Sequence, residues 1–173
     1  MSPAGRSGEA GGEQAKGQGQ AAARTSHKSR QEVAEKARQE IKLALPSKVT
    51  YLRDSKVWRE IEIAGDQTLD DLHYAIQKAV NFDADHLYSF FLSNRAWDRS
   101  TEYSSPHADG PSATRVKIED LRLRMKQRFL YLFDYGDEHQ FEVQLVGTNL
   151  DAPKDAYPKV VARHGKAPDQ YAW

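Results

Sequence analysis

The clearest hydrophobic periodicity in the chain runs from Leu69 to Val80. Leu69, Leu72, His73, Ile76, Ala79 and Val80 recur at helical spacing and form one stripe. Thr68 stands just before the stripe and Asp71 three places after it, which is capping-box spacing, and Asn81 is a natural end. Further along, RFLYLFD (128–134) is apolar on both faces and predicts a central strand buried on two sides. HQFEVQLV (139–146) alternates instead, with His139, Phe141, Val143 and Leu145 inward and Gln140, Glu142 and Gln144 outward. The connection Tyr135-Gly136-Asp137-Glu138 makes the pair an antiparallel hairpin.

The rest of the pattern fills in around these pieces. KVTYLRD (48–54) and KVWREIEI (56–63) are both extended and are separated only by Ser55, as a bent strand or a tight hairpin. In the second, Val57, Ile61 and Ile63 share a face with Arg59, while Trp58, Glu60 and Glu62 share the other. HLYSFFLS (86–93) is short and aromatic-rich, hence a strand. Residues 94–113 read as a long loop, and loops of that length in compact domains are usually functional or unstructured. VKIEDLRLRM (116–125) predicts a short second helix with Ile118, Leu121 and Met125 inward. Toward the N-terminus, Ser29 and Glu32 have capping-box spacing, Val33, Ala37, Ile41 and Ala44 come next at helical spacing, and Pro46 stops the run. This predicts a helix over 29–45, although the alternation of Ile41, Leu43 and Leu45 leaves a strand open at its end. After Gly147, with Pro153, Pro158 and Pro168, the expectation is an extended, irregular segment.

Composition changes the picture mainly at the N-terminus. No Val, Ile or Leu occurs before Val33, no aromatic before Tyr51, and six of the eleven glycines lie in the first twenty residues. Such a segment cannot bury enough surface to offset its ordering entropy. The organisation expected is therefore a disordered tail (1–28), an N-terminal helix (29–45), an α+β domain (46–147) and an irregular C-terminal extension (148–173). The tail shows no apolar stretch of the kind a secretory signal needs. Residues 1–30 carry Arg6, Lys16, Arg24, Lys28 and Arg30 against Glu9 and Glu13, a balance of +3, so the remainder of this net-neutral chain carries −3. A duplex-binding domain usually shows a basic surplus, and the folded part has none. The absence of cysteine excludes disulfides, thiolate metal sites and cysteine nucleophiles. No run approaches the ~20 apolar residues needed to span a bilayer. A soluble, cytoplasmic protein with no membrane partner is the default.

The pieces VWREIEI, TLDDLHYAIQKAV, HLYSF and FLYLFDYGDEHQFEVQL occur in an order that resembles the plasmid pRiA4b ORF-3-like family. The later segment YPKVVARHGKAPDQY also resembles the stretch downstream of the domain in many members, so the likeness covers about residues 48–171. It implies an α+β domain in which a small, mostly antiparallel sheet curls around one main helix. It implies little about activity; some members are encoded on plasmids or carried as passengers by insertion elements. Trp58-Arg59 matches the family's Trp-Arg pair, Leu72-His73 and Ile76-Gln77 its helix, and His86-Leu87 its next strand. Asp134, Gly136 and Asp137 match its Asp-aromatic-Gly-Asp turn. Two departures stand out. After the turn the family has Trp-x-His, where this chain has His139 and Phe141, and its Pro-Pro before the Trp-Arg pair is here Lys56-Val57.

The candidate residues are thus Trp58, Arg59, His73, His86, Asp134, Gly136, Asp137 and His139, each with a structural reading beside a functional one. Gly136 supplies the positive φ that a hairpin turn often needs, and Asp134 and Asp137 accept backbone hydrogen bonds within the turn. The functional alternative is a divalent metal held by Asp134, Asp137 or Glu138 with His139 nearby, although the spacing matches no zinc or EF-hand signature. His73, His86 and His139 read singly as hydrogen-bonded residues at the core edge; convergence would make them ligands. His107 and His164 carry no local signal. Trp58 lies under the long loop or the C-terminal segment, or else anchors a partner. Arg59 reads as a buried arginine paired with Asp134 or Asp137.

No GxSxG, P-loop or GxGxxG motif is present. The first functional reading is a non-enzymatic binding or adaptor module for a protein or small-molecule partner, with no cofactor. Its site would lie where the long loop, Trp58 and the C-terminal segment meet, with a link to plasmid or mobile-element biology implied by the resemblance. Two alternatives stay open: a metal-dependent hydrolase or nuclease using Asp134, Asp137 and His139, and a DNA-associated accessory protein making weak nucleic-acid contact through its basic tail.

Overall fold

The computed structural model describes residues 29–30, 42–153 and 157–171. The chain divides into two compact units, Met1–Glu40 and Ile41–Trp173, and the sheet and helix belong to the second. Ser29 and Arg30 are helical. The rest of the expected helix up to residue 41, and the tail before it, lie outside the described residues.

Among the described residues from 42 onward, eight strands and one α-helix make a sheet-dominated α+β fold. The elements are β1 (Lys42–Tyr51), β2 (Trp58–Ala64), α1 (Leu69–Val80), β3 (Tyr88–Phe91), β4 (Glu102–Ser104), β5 (Arg128–Phe133), β6 (His139–Leu145), β7 (Asn149–Ala152) and β8 (Lys159–His164). They pair in the order β4-β3-β5-β6-β1-β2-β8, with β7 also on β1, and every ladder is antiparallel. The sheet is larger than the small one expected, and its pairings run as a path from β4 to β8. Among the described residues no helix is long and apolar enough to cross a membrane.

Helix α1 forms as its pattern dictates. Thr68 Oγ1 accepts from Asp71 N at 3.2 Å, and Asp71 Oδ2 accepts from Thr68 N at 2.7 Å, completing the capping box. Asn81 ends the helix in the left-handed region, φ 59°, where a short polar side chain is tolerated. The buried stripe of α1 joins Val49, Ile61, Phe90, Phe129, Tyr131, Phe141 and Val143 in one core cluster. A second, smaller cluster lies on the other face of the sheet, with Phe91, Leu130 and Leu132 packed by Ala96 and Tyr135. Strand β5 contributes to both clusters, which is why its sequence is apolar without alternation.

Four local expectations are overturned. Residues 42–45 are strand, the alternative left open at the end of the expected helix, and Pro46 does not stop the run but lies inside β1. Its carbonyl accepts from Val146 N at 2.9 Å, at the place where β1 leaves β7 and begins to pair with β6. The ladder bond that proline cannot donate falls in the gap between two partners. The short second helix over 116–125 reduces to one 3-10 turn, Glu119–Leu121, ended by Arg122 at φ 48°. The long loop holds two 3-10 turns and strand β4, which pairs with β3. The C-terminal extension is not irregular. β7 and β8 are sheet strands, and Pro153, Pro158 and Pro168 fall outside them, where no ladder bond is lost.

Arg59 ties β8 to the helix. It is buried on the inward face of β2, yet it pairs with neither Asp134 nor Asp137. Its Nε donates to Ala79 O at 2.9 Å, and its Nη1 donates to Trp58 O at 2.8 Å and His164 O at 2.7 Å. Arg163 Nη1 donates to the same Ala79 carbonyl at 3.0 Å. Burial first, and then the charge of Arg163, lower the proton affinity of Arg59 from the ordinary arginine value. Two cations thus sit at the C-terminal carbonyls of α1, where the helix dipole favours them. On the other side of β2, Trp58 stacks on His164 with ring centroids 5.6 Å apart and planes 8° apart, while Lys48 Nζ lies 4.9 Å from the Trp58 centroid.

The acidic turn between β5 and β6 is built differently from the expectation. The positive φ values belong to Asp134 (60°) and Glu138 (49°), not to Gly136. Asp134 Oδ1 accepts from Gly136 N at 2.9 Å and Asp137 N at 3.3 Å, and Asp134 O accepts from Glu138 N at 2.7 Å. Aspartate tolerates the left-handed region because its short side chain bonds locally. The Arg53 guanidinium closes the turn from the end of β1 by donating to Asp137 O.

These contacts set the cost of removing them. Arg59→Met should cost about 3 kcal/mol in urea unfolding, because it strands buried carbonyls and removes charge-assisted bonds; a cost below about 1 kcal/mol would mean that β8 is held by other contacts. In the turn, Asp134→Ala should cost about 1–2 kcal/mol, and Asp134→Asn and Gly136→Ala clearly less. If Gly136→Ala proves the most damaging of the three, the turn is built on glycine after all.

Candidate functional site

A cavity of about 350 Å³ opens where three segments meet. The first turns of α1 bring Asp70, His73 and Tyr74. The approach to β3 brings Ala84, Asp85, His86, Leu87 and Tyr88, and the chain after β4 brings Ser105, Pro106 and His107. Capping at Thr68 fixes where α1 begins, and hence where Asp70 and His73 stand. Ser105 N donates to Tyr88 O at 2.9 Å, which holds the third segment against the second.

His73 is the buried member of this group. Its Nδ1 lies 2.7 Å from Tyr131 Oη, and Gln77 Nε2 donates to that same hydroxyl at 2.9 Å. Tyr131 Oη accepts from Gln77 and is joined to His73 Nδ1 by its second hydrogen bond. The His73 ring stacks on Tyr88 with centroids 3.8 Å apart and planes 10° apart. Burial lowers the His73 pKa from 6.5 to about 3, so the ring is neutral near pH 7. The Tyr88 hydroxyl donates to Asp70 Oδ1. Burial, and then this bond to Asp70, raise the Tyr88 pKa far above the ordinary phenol value.

The outer wall is more open. His86 Nε2 lies 3.6 Å from both Asp85 Oδ1 and Asp134 Oδ2. Asp85 accepts from Tyr171 Oη at 2.8 Å and from Gln170 Nε2 at 3.1 Å. Its carboxyl is held below the usual carboxylate range, chiefly by the Tyr171 bond. Ser105 is buried, and its hydroxyl has no hydrogen-bond partner among the described residues.

The structure sorts the sequence candidates. His73 and His86 line the cavity, and Asp134 touches it through His86. His139 does not join them: it is buried, with Nδ1 3.1 Å from Tyr51 Oη and Nε2 3.0 Å from Gln170 O. A carbonyl only accepts, so Nε2 carries a proton there, and neither ring nitrogen is left for a metal. Among the described residues no group of three or more His, Asp or Glu side chains is arranged to hold a metal ion. The set of Asp134, Asp137 and His139 therefore has no matching geometry. Gly136 and Asp137 serve the turn, and Arg59 serves the sheet. Trp58 lies under β8, as one reading of its sequence position expected, and not beside the long loop. Sequence reasoning missed Asp70, Asp85, Tyr88, Ser105 and His107. Asp70 reads as helix-start acidity, and nothing local to the others marks them.

The buried imidazole sets a pH dependence. The unfolded chain protonates His73 near pH 6.5, whereas the folded chain resists until about pH 3. Its contribution is therefore complete above pH 6.5 and falls as pH drops toward 3, by at most about 1.4 kcal/mol per pH unit. His73→Gln should flatten that part of the stability profile in urea titrations at pH 7, 6, 5 and 4. An identical slope in the variant would show that His73 is free to protonate in the folded state.

Comparison with known proteins bears on the chain as a whole. The solved structure of a protein of unknown function, MM3350 from Methanosarcina mazei Go1, is similar with a TM-score of 0.63 and 23% identity, over 75% of this chain and 73% of that one. That likeness speaks for the fold. No curated protein matches the chain. The family model described as plasmid pRiA4b ORF-3-like protein matches residues 25–170, most of the sequence, and the chain belongs to that family.

Proposed function

We propose that the protein is a binding module whose ligand, or one side chain of a partner, enters the cavity between α1, β3 and the segment after β4. The observation that carries this reading is the cavity itself, formed by three segments, with Asp70 and Asp85 beside Tyr74 and Leu87 on its wall. A volume of about 350 Å³ lies at the small end of the range for ligand sites.

The same geometry favours binding over catalysis. Among the described residues no base lies within hydrogen-bond reach of Ser105 Oγ, so it is not an activated nucleophile. The Nδ1 of His73 is engaged by Tyr131, and its ring stays neutral across the range where a general acid–base residue titrates. The long loop takes part, through Ser105 to His107, and the C-terminal segment joins through Tyr171 and Asp85.

The test is a protein-observed NMR screen with a fragment set balanced between cationic, neutral and anionic members. Amides of residues 84–88 and 105–107 should shift with at least one class, saturably. Shifts confined to other regions, or none, would refute the module reading.

A further inference from the structure

We infer that a second pocket, of about 290 Å³ between Trp97, Tyr135 and Glu102, binds a purine that presents N–H donors at its edge, the pattern of guanine. It adjoins the cavity described above, since Leu87 and His107 lie on both walls, but its other lining residues are its own. Glu102 is the residue that points to a ligand. It stands on β4, is only 9% exposed, and its Oε1 accepts from Ser89 Oγ at 2.7 Å. Its Oε2 has no hydrogen bond or ion pair among the described residues, and it is not enclosed, so an entering donor reaches it. Ser89 Oγ also lies 2.7 Å from Tyr135 Oη, and Tyr135 Oη donates to Tyr88 O at 3.1 Å. The carboxylate and the Tyr135 ring are therefore held in place before any ligand arrives.

The walls suit a flat ring. Trp97 and Tyr135 meet edge to face, with centroids 5.1 Å apart and planes 75° apart. Their polar atoms are committed elsewhere, Trp97 Nε1 to Glu138 Oε1 at 2.9 Å and Tyr135 Oη to Ser89 and Tyr88, so what they offer a ligand is ring surface. Trp97 is 43% exposed, and an exposed indole stacks with any nucleobase. The choice among bases follows from the edge. Glu102 Oε2 accepts, and Arg99, exposed on the same rim, only donates. Guanine places two adjacent N–H donors beside a carbonyl oxygen and satisfies both residues. Adenine turns a ring-nitrogen acceptor toward the carboxylate and has no carbonyl for Arg99. A simple cation or anion is less well served, because Arg99 stands against Glu102 and Asp109 in one pocket.

The test titrates guanosine, inosine, adenosine and n-butylammonium against the full chain at pH 7. The readout is the Trp97 indole N–H with the amides of residues 97–99 and 108–109, none of which reports on the first cavity. Guanosine should bind about tenfold more tightly than adenosine, and inosine, which lacks the second donor, should fall between them. Glu102→Gln keeps the Oε1 acceptor for Ser89 and replaces Oε2 by an amide NH2 donor. It should weaken guanosine about tenfold and swing the preference toward adenosine, a reversal that a merely structural role would not give. Should that variant not fold, the order of the four probes on the wild type decides alone. Adenosine as tight as guanosine, or butylammonium tighter than either, overturns the assignment. Silence of these reporters overturns it too, and leaves the first cavity to its own screen at residues 84–88 and 105–107. The trinucleotide dT-dG-dT distinguishes the source of the base. Binding as tight as guanosine assigns a base within a single strand, and exclusion assigns a free nucleoside or nucleotide; both support the class.

Discussion

A phenol hydroxyl placed in the middle of a core must find its hydrogen bonds there, and the hydroxyl of Tyr131 organises much of this molecule. Tyr131 is fully buried on β5, and burial raises its pKa well above the ordinary phenol value, so it acts as a neutral donor and acceptor. Both partners come from one helix, His73 and Gln77, four residues apart and therefore on one face of α1. Hydrophobic contact alone would let α1 rotate or slide by small amounts. Two hydrogen bonds to one oxygen fix its rotation and its height over β5.

The ends of α1 are held by separate means. The capping box at Thr68 fixes the start, and Arg59 with Arg163 holds the Ala79 carbonyl at the finish. Since Arg163 belongs to β8 and Arg59 also reaches the His164 carbonyl, the last strand of the chain helps to set the helix. The C-terminal strand is thus part of the frame that positions His73, though it lies far from the cavity in sequence. It also supplies cations where the helix exposes carbonyl oxygens. The acids at the other end, Asp70 and Asp71, meet the positive end of the dipole. Asp71 caps the helix, and Asp70 faces the cavity.

How much of this was legible depended on the range of the interactions involved. Helix α1, its two ends, the two-sided burial of β5 and the alternation of β6 all arise from local spacing, and each is found. The strand nature of residues 42–45 was not fixed locally, because Ala44 and Leu45 fit a helical face as well as a strand. Pairing with Ala64 and Ile63 decides the matter. Pro46 reads as a stop because only the fold shows that its missing donor falls between β7 and β6. Strands β7 and β8 are short, proline-flanked and largely exposed, so alternation carries little signal there. In the turn, the choice of Gly136 for positive φ rested on residue type, whereas the local bonds of Asp134 put the left-handed residue two positions earlier. The cavity was the least legible feature. It joins residues 70, 86 and 105, and such convergence is set by the sheet order, which no local spacing encodes.

Four buried polar atoms lack a partner among the described residues, Gln77 Oε1, Asn94 Oδ1, Ser105 Oγ and Tyr157 Oη, and two of these residues bear on α1 and the cavity wall. Gln77 Oε1 has no partner, and Gln77 is buried in the core, committed through its nitrogen to Tyr131. Its deficit comes from holding the helix in place, and it does not line the cavity. Ser105 Oγ is equally unpartnered, but Ser105 holds no element through its side chain, and although the residue lines the cavity its hydroxyl is enclosed. An alanine there would remove the buried hydroxyl without costing a hydrogen bond. A hydroxyl kept at such a position is a structural liability in the free protein. What the cavity offers an entering group is therefore its open wall, where Asp85, Tyr74 and Leu87 reach solvent, and not this hydroxyl.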